Sequence, residues 1–92
     1  MLSRIFLKEV ESIHNDTQSG AAEIAEKCLN ALKNECLRLK TSLDRINLKI
    51  AIQLLLDTHP MATIENALIP VFLRLIQLIE LTLKIRVSKH FQ

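Results

Sequence analysis

The sequence predicts an all-α fold: a four-helix antiparallel bundle whose last helix is kinked or broken near Pro70. Three observations carry this. Apolar residues recur every three or four positions through most of the chain, the period of one helix face. Leu and Ile dominate the apolar set while Trp and Tyr are absent, a composition that favours helix over strand. One Gly and two Pro in 92 residues leave few turns, so the connections are short. A chain of this length makes one domain at most, here a single helical domain over 1–92.

The first helix is expected from about Ser3 to Asn15. Leu2, Phe6, Val10 (or Glu9) and Ile13 mark its apolar face, and Ser3 suits the N-cap. The second is expected from about Ser19 to Lys40. Ala21, Ile24, Ala25, Cys28, Leu32, Cys36 and Leu39 form its stripe, with Glu23, Glu26, Lys27, Lys33 and Asn34 opposite. Glu23 and Lys27 stand at the spacing of an i,i+4 ion pair. The third is expected from about Ser42 to Asp57, with Leu43, Ile46, Ile50, Leu54 and part of Leu55-Leu56 facing inward. Thr41 or Ser42 would cap it, with Asp44 in the first turn. His59-Pro60 stops it, because a residue before proline is pushed out of the helical region. The fourth is expected from Ala62 or Thr63 to about Ser88, disturbed at Pro70 by the lost N–H and the ring clash. From Ile79 to Val87 its apolar residues alternate as in a strand. The Glu80–Lys84 pairing and the lack of any partner strand assign helix.

Composition excludes several classes. Net charge is +2, without a run of Lys or Arg. Phe6, Phe72 and Phe91 lie too far apart to form a stacking platform, so direct nucleic-acid binding is not expected. Cys28 and Cys36, eight residues apart on one helix, stand about 12 Å apart, beyond disulfide reach. They read as buried thiols of a reducing compartment. Arg4, Lys8, Glu9 and Glu11 interrupt any leader pattern. The apolar stretch Ala67–Ile79 holds Arg74 and Gln77, and is too short and polar to cross a bilayer. A cytoplasmic protein without membrane contact is expected.

Chemistry-bearing constellations are sparse. His14, His59 and His90 lie in separate segments, and none has a neighbour at metal-ligand spacing. Both cysteines lie on an apolar stripe, where burial disfavours a thiolate nucleophile. No nucleotide-binding loop, serine elbow or HExxH pattern occurs. No catalytic residue, metal or cofactor is therefore expected. Two similar junctions remain: Asp16-Thr17-Gln18-Ser19-Gly20-Ala21 and Asp57-Thr58-His59-Pro60-Met61-Ala62. Each runs from Asp-Thr to a small-residue helix start. They read either as ordinary caps or as helix N-termini able to hold an anion. Gly20, the only glycine, marks a tight turn or a close approach to the backbone.

Several short segments resemble the N-terminal helical part of the translation initiation factor 2B regulatory-subunit family. They are Ser19-Gly20-Ala21-Ala22-Glu23-Ile24-Ala25, Asn30-Ala31-Leu32, His59-Pro60-Met61-Ala62 and Asn66-Ala67-Leu68. The resemblance covers about Ile13 to Leu75. That family joins the alpha, beta and delta subunits of the eukaryotic exchange complex with isomerases of ribose-1,5-bisphosphate and methylthioribose-1-phosphate. It implies a phosphate-binding role for Ser19, Gly20, Ala21 and His59. Ser19 and His59 stand where the isomerases carry arginines, so the charged clamps are missing. The family's catalytic cysteine and aspartate lie in a following Rossmann-like domain, and neither Cys28 nor Cys36 matches that cysteine. The resemblance thus implies a non-catalytic piece.

The fourth helix points the same way. After Pro70 apolar residues crowd every face, more than three companion helices can cover. An uncovered apolar surface marks a partner contact. The expected interface is Leu73, Leu78, Leu81, Leu83 and Ile85, taking a protein partner or a second copy. The reading is a non-catalytic regulatory or interaction domain related to initiation factor 2B subunits. One alternative is the phosphate-binding part of a sugar-phosphate isomerase-like enzyme completed by another domain, taking a sugar phosphate or nucleotide. The other is an unrelated small helical adaptor with ordinary caps.

Overall fold

The computed structural model describes residues 1–90 and, within them, every side chain except those of Thr41, Leu83 and residues 85–90. Four helices form: α1 (Arg4–His14), α2 (Ala21–Leu39), α3 (Arg45–Thr58) and α4 (Ala62–His90). A single 3-10 turn, Lys40–Ser42, joins α2 to α3. The all-α four-helix bundle is as the periodicity predicts. Helix α2 packs on α1 and α4, and α3 packs on α4 and α1. Around the bundle the order is therefore α1, α2, α4, α3. The ends of α1 and α3 meet at Ile13-His14 and Thr58-His59, and the start of α3 meets Glu80 of α4. Neighbours in sequence thus run antiparallel.

Ser3 caps α1 as expected: its Oγ accepts from the Phe6 N–H at 3.1 Å. Gly20 is the N-cap of α2, with an ordinary φ of −73° and no side-chain cap. A Cβ built there meets nothing within 4 Å. The glycine therefore serves neither a left-handed turn nor a close backbone approach. At the other end of α2 stands Lys40, with φ 46° and ψ −111°, the one non-glycine residue described with positive φ. That conformation is strained for any side chain.

Four expectations need correction. Helix α3 begins at Arg45, not near Ser42, because Thr41 and Ser42 are taken into the 3-10 turn. Asp44 is its N-cap, not a first-turn residue, and accepts from the Asn47 N–H at 2.7 Å. The inward face of α3 is Leu48, Ala51, Ile52, Leu55 and Thr58, whereas Ile46 and Ile50 are exposed. Lys27 does not pair with Glu23; it reaches back to Asp16.

Helix α4 runs through Pro70 without a break. Proline at position 70 removes the donor that would bond the Asn66 carbonyl. Both residues lie on the exposed side, where water satisfies that carbonyl. The core joins Phe6 and Ile13 of α1, Ile24, Cys28, Ala31 and Leu32 of α2, the α3 face, and Ile64 and Leu68 of α4. Among the described residues, every fully buried side chain of α4 lies before Pro70.

A candidate docking surface along the fourth helix

Before Pro70, α4 supplies fully buried core residues; in the half beyond it, among the described residues, Phe72, Leu75, Ile76 and Ile79 are only partly buried against the core and several leucines are exposed. Ile64 and Leu68 are fully buried, while Leu73, Leu78 and Leu81 are 56 %, 53 % and 54 % exposed. Leu73 and Leu78 lie alongside α3 but on faces of α4 turned away from the core, whereas Phe72, Leu75, Ile76 and Ile79 pack against it; for Leu81 the cause is length. Twenty-nine residues of helix span about 44 Å, against about 21 Å for the fourteen of α3. Arg45, the first residue of α3, lies beside Glu80 at 3.6 Å, so α4 continues past the end of its neighbour. The molecule is correspondingly elongated, 55 × 26 × 16 Å.

Two apolar grooves flank this half. One, of ≈ 570 Å³, lies between α3 and α4 and is lined by Arg45, Ile46, Lys49, Phe72, Leu73 and Ile76. The other, of ≈ 450 Å³, lies between α2 and α4, with Leu29, Leu37, Val71 and Leu75 among its walls and Lys33 at its edge. Of the interface expected from sequence, Leu73, Leu78 and Leu81 are exposed; the side chains of Leu83 and Ile85 lie outside the described residues. Sequence reasoning missed Ile46, Ile50 and Leu37, which enlarge the surface with neighbouring helices. Ala62–Thr82, wholly helical, has a mean hydropathy of 1.5 and is long and apolar enough to cross a membrane by length and composition. The limit of Ala67–Ile79 set from sequence was too short, although Glu65, Arg74 and Glu80 lie within the longer span.

Away from that surface, a buried carboxylate latches α1 to α2. Glu35 of α2 is 1 % exposed. Its Oε2 accepts from the Ser3 N–H and its Oε1 from the Ser3 hydroxyl, both at 2.6 Å. Arg38 Nε donates to the same carboxylate at 2.8 Å, and its NH2 reaches Glu9 at 2.9 Å. Burial pushes the Glu35 carboxyl up, but the Ser3 hydroxyl, the Ser3 N–H and Arg38 outweigh it and hold it below its ordinary value. The arrangement is a capping box whose acid comes from another helix. Position N3 of α1 is Phe6, a core residue, so α2 supplies the carboxylate that N3 would give. The signal was readable: Glu35 lies seven residues from Cys28 and three from Leu32, on the apolar stripe.

The phosphate-binding residues expected from sequence are engaged otherwise. Asp16 Oδ1 accepts from the Gln18 and Ser19 N–H groups at 3.0 Å, and Oδ2 accepts from the Ser19 hydroxyl at 2.7 Å and from Lys27. Lys27 and then Ser19 hold the Asp16 carboxyl well below the usual carboxylate range. Asp16 thus closes the turn that leads into α2, while the first N–H groups of α2 itself take no side-chain cap. His59 Nε2 donates to the Ile13 carbonyl at 2.6 Å, and His14 Nδ1 to the Thr58 carbonyl at 3.3 Å. These two bonds tie the C-terminal ends of α1 and α3 together; the Ile13 carbonyl also accepts from the Asp16 N–H at 3.1 Å. Gly20 and Ala21 keep only their places at the helix start, and among the described residues no hydrogen bond joins Ser19 to His59. Cys28 and Cys36 are both free, and burial pushes both thiols up, the opposite of a nucleophile's need.

No family model, no curated protein and no solved structure matches the chain.

Proposed function

We propose that this chain is a non-catalytic helical interaction domain whose docking surface is the second half of α4 with the two grooves beside it. The observation that carries the reading is the exposure of Leu73, Leu78 and Leu81 on a helix whose earlier leucine, Leu68, is fully buried. Three leucines each more than half exposed, with Ile46 in the groove beside α3 and Val71 in the groove beside α2, give apolar surface on both flanks of the helix, of the kind that marks a protein contact. The resemblance of Ile13 to Leu75 to the helical part of initiation factor 2B regulatory subunits supports the same reading and supplies its context: a regulatory piece that leans on other parts of an assembly. A sugar-phosphate site has less support, because Ser19 and His59 already bond Asp16 and the Ile13 carbonyl.

Sedimentation velocity at several concentrations, with the apolar-surface dye ANS as a second readout, tests the proposal. The expected result is ANS enhancement that Leu73→Asn/Leu78→Asn abolishes without loss of helicity, with or without self-association. A strictly monomeric chain that leaves ANS dark would contradict it.

A further inference from the structure

Resting on that docking reading, we infer that the groove between α3 and α4 receives an acidic amphipathic helix of a partner protein. The groove has an apolar floor of Ile46, Phe72, Leu73 and Ile76, and its ionisable lining is cationic: Arg45 and Lys49, one helical turn apart on α3. Helices dock into such grooves through apolar anchors at i, i+3/i+4 and i+7. Cations one turn apart along an edge match carboxylates one turn apart on the incoming helix. The acids beside them are Asp44, whose carboxylate caps α3 through the Asn47 N–H, and Glu80, which meets Arg45.

The bundle's charge is polarised in the same sense. Lys33, Lys40, Arg45, Lys49, Arg74 and Lys84 gather at the end where α2 finishes and α3 begins. Asp16, Glu23, Glu26, Asp57 and Glu65 gather at the opposite end. A second copy fits poorly. Pairing groove to groove would bring like charges together. The acidic end carries no exposed large apolar residue among the described residues from 11 to 30 and from 52 to 66, so it cannot supply the anchors. A flat anionic membrane also fits poorly. The outer line of α4 is Asn66, Pro70, Arg74, Gln77 and Leu81, all exposed, so its convex ridge carries one leucine and most of the apolar surface lies in the concavities beside it.

The test uses the full chain and a synthetic helix of roughly 18 residues, Leu at the anchor positions and Glu elsewhere, with one Trp. The chain has no Trp, so the probe's fluorescence is its own. Its Glu→Lys counterpart and phosphatidylserine/phosphatidylcholine vesicles are the other arms. Saturable binding of the acidic probe is expected, with the Lys counterpart weaker by about tenfold or more. Arg45→Glu/Lys49→Glu should invert that preference. Ile46→Asn/Leu73→Asn, at exposed positions that leave folding intact by circular dichroism, should weaken binding by about tenfold. Equal binding of both probes, binding indifferent to these variants, or binding to vesicles alone would overturn the inference. If the acidic probe fails while ANS still lights up and Leu73→Asn/Leu78→Asn abolishes it, the inference falls and the docking surface stands. If ANS is dark as well, both fall.

Discussion

The two halves of α4 have similar composition and opposite fates. Before Pro70, Ile64 and Leu68 are enclosed by the other helices. Beyond it, leucines of the same kind stand in the open. Residue type does not distinguish the halves. What differs is which face of α4 each leucine occupies, with Phe72, Leu75, Ile76 and Ile79 taking the inner face beyond Pro70, and, from Leu81 onward, that α3 no longer lies alongside. Apolarity therefore drives folding in one half and is left available for association in the other.

The contrast can be broken most directly by truncating one leucine in each half. Leu68→Ala should destabilise by about 3 kcal/mol through lost burial and a residual cavity. Leu78→Ala should stay within about 0.5 kcal/mol. Denaturant unfolding reads both, and equal costs would erase the distinction. Next in size is the latch that fixes α1 to α2. Glu35→Gln should cost about 2 kcal/mol, because an amide placed where the carboxylate sits cannot satisfy both Ser3 donors and Arg38. The same residue sets a pH dependence. Its folded carboxyl titrates below the unfolded one, so its contribution is fully present above about pH 4.3. It is lost as pH falls through the folded value. Asp16 acts in the same direction. Urea midpoints across pH 2–6 should drop toward acid in the native chain and drop less in Glu35→Gln.

The smallest effects are gains at helix ends. Lys40→Gly should raise the unfolding midpoint by an equivalent of about 1 kcal/mol, relieving the positive φ. Gly20→Ser should add a few tenths, supplying the missing side-chain cap in open space.

Much of this was legible in the sequence, and what was not has identifiable causes. Helix number, the α1 cap at Ser3 and the α2 stripe followed from periodicity and capping chemistry. The face of α3 did not, because Ile46, Leu48, Ile50, Ile52, Leu54, Leu55 and Leu56 leave almost no polar side to orient it. Only packing against α1 and α4 selects Leu48, Ala51, Ile52 and Leu55. Glu35 was passed over because a charge next to Cys36 reads as solvated until its partner, thirty-two residues away, is known. Lys27 preferred Asp16 to Glu23 because the turn before α2 folds that carboxylate back over the helix start. Of the docking surface, the α4 leucines were legible as an apolar excess. The contributions of Ile46 and Leu37, and the cationic edge of Arg45 and Lys49, required knowing which helices lie beside α4.

Hydroxyl-radical footprinting of the monomeric chain at low concentration measures the central claim side chain by side chain. Leu73, Leu78 and Leu81 should oxidise rapidly while Leu48, Leu55 and Leu68 remain protected. Protection of all six in a sample that sediments as a monomer would contradict the account, since the later part of α4 would then be shielded by the molecule itself.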